Sequence, residues 1–210
     1  LTATFPIVGI GASAGGLEAL DLFMSHVPLS CGMAFVVIQH LAPDYKGIMP
    51  ELLQRTTAMK VFQIKERMKV QPDCVYVIPP NKEVTILSGI LHLTTPAAAR
   101  GLRLPIDCFL RSLAQDQQAG SIGVILSGMG SDGMQGLAAI KQSSGLTLVQ
   151  TPATAKFDGM PTSAINAGLA DYTCAPDEMP AAIIAHLKHA PIFKPIAAVV
   201  LDENDVDCLD

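Results

Sequence analysis

Short runs of consecutive apolar residues alternate along this chain with stretches whose apolar residues recur every three or four positions. FPIVGIG (5–11) predicts a short buried strand, and GGLEALDLFMSHV (15–27) sets Leu17, Leu20, Met24 and Val27 at helical spacing before Pro28 stops it. MAFVVIQ (33–39) predicts a second buried strand. Residues 47–57 read as a helix provided Pro50 sits in its first turn. CVYVIPP (74–80) is a strand ended by two prolines, and EVTILSGILHLT (83–94) is two alternating segments around Ser88-Gly89, a hairpin signal. Pro105 opens a helix to about Gln118. SIGVILSG (121–128) predicts another buried strand, followed by a helix to about Ser144 and a strand at LTLVQ (146–150). A short helix at 161–167, a short strand at 169–173 and a helix at 177–189 complete the pattern.

Near-continuous apolar strands alternating with helices predict an α/β fold of three layers. Its sheet is mainly parallel and doubly wound, and the segment 83–94 is its one antiparallel hairpin. Residues 1–189 form the expected domain. Residues 190–210, with Pro191, Pro195 and the acidic end DENDVDCLD, read as a linker or tail.

Half of the residues are hydrophobic and 16% are charged, which fits a packed core. The net charge of −5 is concentrated: DENDVDCLD carries five of the nineteen acids, and the remaining fourteen balance fourteen Lys and Arg. A neutral body argues against nucleic acid as a partner. The five cysteines, Cys31, Cys74, Cys108, Cys174 and Cys208, are widely spaced with no C-x-x-C, so buried thiols in a reducing cytoplasm are the simplest expectation, with no metal site. No apolar run reaches the length of a membrane span, and no signal peptide is visible, so direct membrane insertion is not expected.

In such a sheet, chemistry gathers at the carboxyl ends of the strands. Three residue types capable of acting together sit there: Ser13 after the first strand, His40 after the second, and Asp132 after the strand at 121–128. GASAG around Ser13 fits G-x-S-x-G, in which small neighbours permit a tight strand-to-helix turn that exposes a hydroxyl. His40 could take the hydroxyl proton and return it to a leaving group, and a carboxylate could fix the imidazole tautomer. Amides of Met129-Gly130 could complete an anion pocket. Each residue has a plainer reading: Ser13 as a helix cap, His40 as a rim residue, Asp132 as the N-cap of the helix that follows it. Asp44 and Asp158 are alternative acids. GIGASA also fits the dinucleotide turn G-x-G-x-x-G/A, but residues 22–43 contain no acid to hold a ribose, and no P-loop is present. A non-enzymatic partner-binding module and a general small-ester hydrolase stand as alternatives.

Five blocks in order, GIGASAGGLEAL, VVIQHLAPD, VYVIPPNKEVTI, VILSGMGSDGMQGL and TAKFDGMPTSAINAGLADY, resemble the chemotaxis protein-glutamate methylesterase catalytic domain (CheB type) across residues 5–187. The resemblance implies hydrolysis of glutamate γ-methyl esters on the cytoplasmic helices of chemoreceptors, often with deamidation of glutamines, in the cytoplasm and without a cofactor. It places the nucleophile on Ser13, the general base on His40, the orienting acid on Asp132 and an oxyanion donor on the Met129 backbone. Arg100 and Arg103, in a loop, are candidate contacts to an acidic receptor surface, although solvated arginines would look the same. Many members carry a hydroxyl residue after the nucleophile; here Ala14 stands there, which bears on rate. The family's regulatory receiver domain is not expected in this chain. The acidic tail resembles the junction by which some members continue into a receptor methyltransferase.

Overall fold

In the computed structural model, which describes residues 5–39, 48–96 and 103–189, the chain folds in the predicted alternation. The elements are β1 (Ile7–Ala12), α1 (Gly16–Ser25), β2 (Ala34–Gln39), α2 (Met49–Thr56), β3 (Lys60–Gln63), β4 (Met68–Lys69), β5 (Cys74–Val77), β6 (Glu83–Leu87), β7 (Ile90–Thr94) and α3 (Pro105–Gln117). They continue as β8 (Ser121–Ile125), α4 (Met134–Gln142), β9 (Leu146–Gln150), α5 (Gly159–Asn166), β10 (Tyr172–Cys174) and α6 (Met179–His189). Pro50 lies in the first turn of α2, where its missing N–H costs no helical bond.

Seven strands form one sheet in the order β10-β9-β8-β1-β2-β5-β3, every pairing parallel. The central strands are apolar throughout because both faces are covered. On one face Val8, Ile10, Phe35, Val37, Val124 and Leu148 meet α1, α2 and α6 through residues such as Leu20, Phe23, Leu53 and Ile183. Phe23 of α1 packs edge-on against Phe35, centroids 6.1 Å apart. On the other face Ile7, Val36, Tyr76 and Ile125 meet α3, α4 and α5 through Phe109, Leu110, Leu137 and Met160. Three layers result. Gly11 leaves room for α3, since a Cβ there would fall 2.4 Å from Ile106 Cγ2.

The predicted hairpin is present as β6 and β7, but β4 extends it to a separate three-stranded antiparallel sheet, order β4-β7-β6. The pattern does not predict β4, because a two-residue strand carries no readable periodicity. Edge strand β3 also escapes the pattern, because Lys60 and Gln63 are exposed and only Val61 and Phe62 are half-buried. The turn at Ser88-Gly89 takes positive φ at both residues, and Asp116 of α3 accepts from both backbone N–H groups.

The thiols of Cys31, Cys74, Cys108 and Cys174 are free, but only Cys74 is fully buried; the others are half-buried. Cys208 and the acidic tail lie outside the described residues. No described helix is long and apolar enough to cross a membrane, and among the described residues no cluster of His, Cys, Asp and Glu could hold a metal ion.

Candidate active site

β1 lies between β2 and β8, so the strand order reverses at its carboxyl end. Clefts in parallel sheets open at such switch points. The turn after β1 carries Ser13, the loop after β8 carries Met129 and Asp132, and β2 ends at Gln39, in register with Ala12. His40 follows Gln39 in the chain and lies outside the described residues, as do Asp44 and Arg100.

Ser13 is half-buried and does not cap α1. The N-cap is Gly15, in the left-handed region at φ 69°, and the helix has no side-chain cap. A side chain at Gly15 would be strained and would place Cβ 2.8 Å from Ser127 Oγ. The Ser13 N–H donates to Ser127 O at 3.0 Å, so that amide is already committed and an oxyanion would need donors from elsewhere. The small residues around Ser13 let the loop after β8 close on it. A Cβ at Gly128 would fall 2.9 Å from Ser13 Cβ and 2.2 Å from Met160 Sδ.

Beyond Gly128 the loop turns outward. Met129 is 62% exposed and Gly130 adopts φ 82°. Among the described residues, no acceptor pairs with the Met129 N–H. The loop is braced from α5 and the segment before it: Gly128 N–H donates to Phe157 O (2.9 Å), Met160 N–H to Gly128 O (2.9 Å), and Ser163 Oγ to Gly130 O (3.2 Å).

Asp132 is 4% exposed. It does not cap the helix that follows; α4 starts from Gly133 with no side-chain cap, correcting the plainer reading. Its carboxylate reaches instead to the start of α3, accepting from Ile106 N–H (3.1 Å) and Asp107 N–H (2.9 Å). Those amides are donors a helix leaves unpaired, and a carboxylate is well placed there. Ile106 therefore joins the two sides of the site: its backbone holds Asp132 and its side chain packs on Gly11, two residues before Ser13. Asp158, the alternative acid, is exposed. Arg103 is half-buried just ahead of α3.

The described histidines belong to other elements. His26 ends α1, His92 pairs with Glu66 at 3.1 Å, and His186 and His189 lie in α6.

A residue that pattern reading passed over is Ser127, the first of SGMGSDG. It is fully buried and bonded to both the Ser13 turn and the segment at Phe157. The motif named its neighbours, but its own role shows only in the folded chain.

A sequence model of the CheB methylesterase family matches residues 8–183. A Nitratidesulfovibrio vulgaris protein named protein-glutamate methylesterase/protein-glutamine glutaminase 2 is 31% identical over 182 residues, 85% of this chain and 50% of that protein. A Leptospira interrogans protein named putative protein-glutamate methylesterase/protein-glutamine glutaminase is 32% identical over 169 residues, 80% of this chain and 88% of its own. The chain thus spans about half the length of some curated relatives it matches and most of another. The crystal structure of the Thermotoga maritima CheB methylesterase catalytic domain superposes with a TM-score of 0.80 at 28% identity, covering 88% of this chain and all of that one. The three-layer parallel sheet and the ordered sequence blocks agree with both comparisons, and the chain belongs to the CheB methylesterase family.

Proposed function

We propose that this domain is a serine hydrolase that removes methyl groups from glutamate γ-methyl esters of chemoreceptor cytoplasmic helices and deamidates glutamines in the same segments. It would act in the cytoplasm, where those helices lie. The observation that carries the reading is the Ser13 turn packed against Gly128 at the switch point, with the buried Asp132 on the same loop after β8. The names of the relatives support the substrate class.

Ser13 Oγ attacks the ester carbonyl carbon while His40 takes its proton. The oxyanion is held by backbone donors, chiefly Met129 N–H, since the Ser13 N–H is committed to Ser127 O. The C–O bond to the leaving group breaks, and methanol departs with the proton from His40. Water then attacks the acyl-enzyme, gives its proton to His40, and the proton returns to Ser13 as the glutamate is freed. For glutamine the first leaving group is ammonia. Asp132 orients His40; its two bonds to the start of α3 hold the carboxylate in one position. All these roles fall on the chain's own groups. Arg100 and Arg103 contact the acidic receptor surface, so reversing their charge raises KM and leaves kcat unchanged.

The test is methanol release from methylated receptor cytoplasmic fragments, wild type beside Ser13→Ala and His40→Ala. Loss of release in both folded variants is expected. Release at the wild-type rate by either variant rejects its role. Hydrolysis of small esters with no methanol from receptor fragments would support a general esterase instead.

A further inference from the structure

We infer that Ser127 is a positioning residue of this reaction, fixing the nucleophile turn against the loop that supplies the oxyanion donor. The inference rests on the reading of Ser13 as nucleophile. Ser127 lies two residues beyond the end of β8 and is 0% exposed. All of its polar groups are engaged. Its N–H donates to Gln150 Oε1 (2.8 Å), itself buried at the end of β9. Its carbonyl accepts the Ser13 N–H (3.0 Å). Its hydroxyl approaches Ala14 O at 2.8 Å and Phe157 O at 3.2 Å, and accepts from Phe157 N–H at 3.0 Å.

A serine hydroxyl has one proton, and the shorter contact gives it to Ala14 O. That bond fixes the peptide between Ala14 and Gly15, the left-handed residue from which α1 starts. The direction of the Ser13 side chain is set by the same turn. The hydroxyl lone pair meanwhile holds Phe157 N–H, and the Phe157 carbonyl holds Gly128 N–H (2.9 Å). One buried side chain thus locks three segments: the turn at 13–15, the loop at 127–130 and the segment at 157. Ser13 and Met129 come from the first two. Their separation is what a tetrahedral intermediate must match, and a misplacement of about 1 Å can cost about 10²-fold in rate.

Without the hydroxyl, Ala14 O and Phe157 N–H lose this partner and the turn gains freedom relative to the loop. Surface contacts that bind substrate stay as they are. The loss therefore falls on kcat rather than KM. A purely structural role would lower the unfolding temperature without changing turnover well below it.

The experiment compares Ser127→Ala and Ser127→Thr with wild type. It measures kcat and KM on a receptor fragment methyl ester and the rate of inactivation by a fluorophosphonate, at a temperature where all are folded. Ser127→Ala should lose roughly ten- to hundredfold in kcat and in inactivation rate, with KM unchanged within about twofold. Ser127→Thr, which restores a hydroxyl, should recover most of both. Wild-type kcat in Ser127→Ala, or Ser127→Thr as slow as Ser127→Ala, overturns the inference. If Ser127→Ala does not fold, Ser127→Cys serves, its thiol being a much weaker donor; a loss of kcat supports the inference and wild-type kcat overturns it. Failure of the Ser13 reading registers separately, as retained turnover in Ser13→Ala.

Discussion

Asp132, in the loop ahead of α4, holds the first turn of α3, and Asp107 of α3 holds the first turn of α4. Asp132, ahead of α4, accepts from Asp107 N–H (2.9 Å) and Ile106 N–H (3.1 Å) at the start of α3. Asp107 Oδ1 accepts from Gly136 N–H (2.7 Å) in the first turn of α4. Both carboxylates are buried at 4% exposure. Burial pushes the Asp107 carboxyl above its usual range; the Gly136 N–H pulls it back, and the charge on Asp132 adds to the rise. Asp107→Ala leaves the buried Gly136 N–H unpaired and should cost about 1–3 kcal/mol in urea unfolding. Asp132→Asn should also destabilise, because one oxygen becomes an NH₂ group facing a backbone donor. Its turnover should fall by up to about four orders of magnitude at temperatures where it stays folded. A double-mutant cycle of Asp107→Ala with Asp132→Ala should give a coupling above about 0.5 kcal/mol. Additive losses would mean that the two caps act independently.

Gly128 sets how near the loop after β8 comes to Ser13. In Gly128→Ala the added Cβ would lie 2.2 Å from Met160 Sδ and 2.9 Å from Ser13 Cβ. Met160 is flexible at that end and can yield, whereas Ser13 Cβ is fixed by the turn. The substitution should therefore lower kcat by at least about tenfold. The additional substitution Met160→Ala should recover stability but not turnover. Recovery of both would place the strain on Met160 alone.

Acid sensitivity has a specific source away from the site. Burial alone would raise the Asp171 carboxyl, but bonds from Lys141 Nζ, Thr147 Oγ1 (2.8 Å) and Thr147 N–H (3.0 Å) outweigh it and hold the group below its ordinary range. A carboxyl depressed in the folded state adds stability above its unfolded pKa, and that stability is lost as pH falls through the folded value. Asp171→Asn should lower stability at neutral pH and flatten the fall in acid, read as urea midpoints from pH 7 down to about 3. An acid limb as steep as wild type would assign the sensitivity to other groups.

The sheet was legible because buried parallel strands are runs such as AFVVIQ and SIGVI that no amphipathic helix would show. β3 and β4 were not legible, being too short and too exposed to carry a run. At the candidate site, Ser13 and Asp132 stand out in the sequence by residue type and by position after a strand. Their partners could not. The donors to Asp132 lie 25 and 26 residues earlier, and the Ser127 hydroxyl bonds Ala14 across 113 residues. Local pattern records propensity and facing, whereas these bonds follow from which strands the fold sets side by side. The reading of Ser13 and Asp132 as helix caps fails for the same reason. Ser/Asp before a helix is a local signal, and here glycines in the left-handed region start both helices, while the Asp132 carboxylate accepts from the start of α3 instead.

The central claim is that the hydroxyl at the turn after β1 is the group that attacks. The direct measurement is covalent: the folded chain is treated with a fluorophosphonate, and the adduct is located by peptide mass spectrometry beside Ser13→Ala. One adduct on Ser13, absent from Ser13→Ala, is the predicted result. An adduct on another residue, or equal labelling of Ser13→Ala, contradicts it.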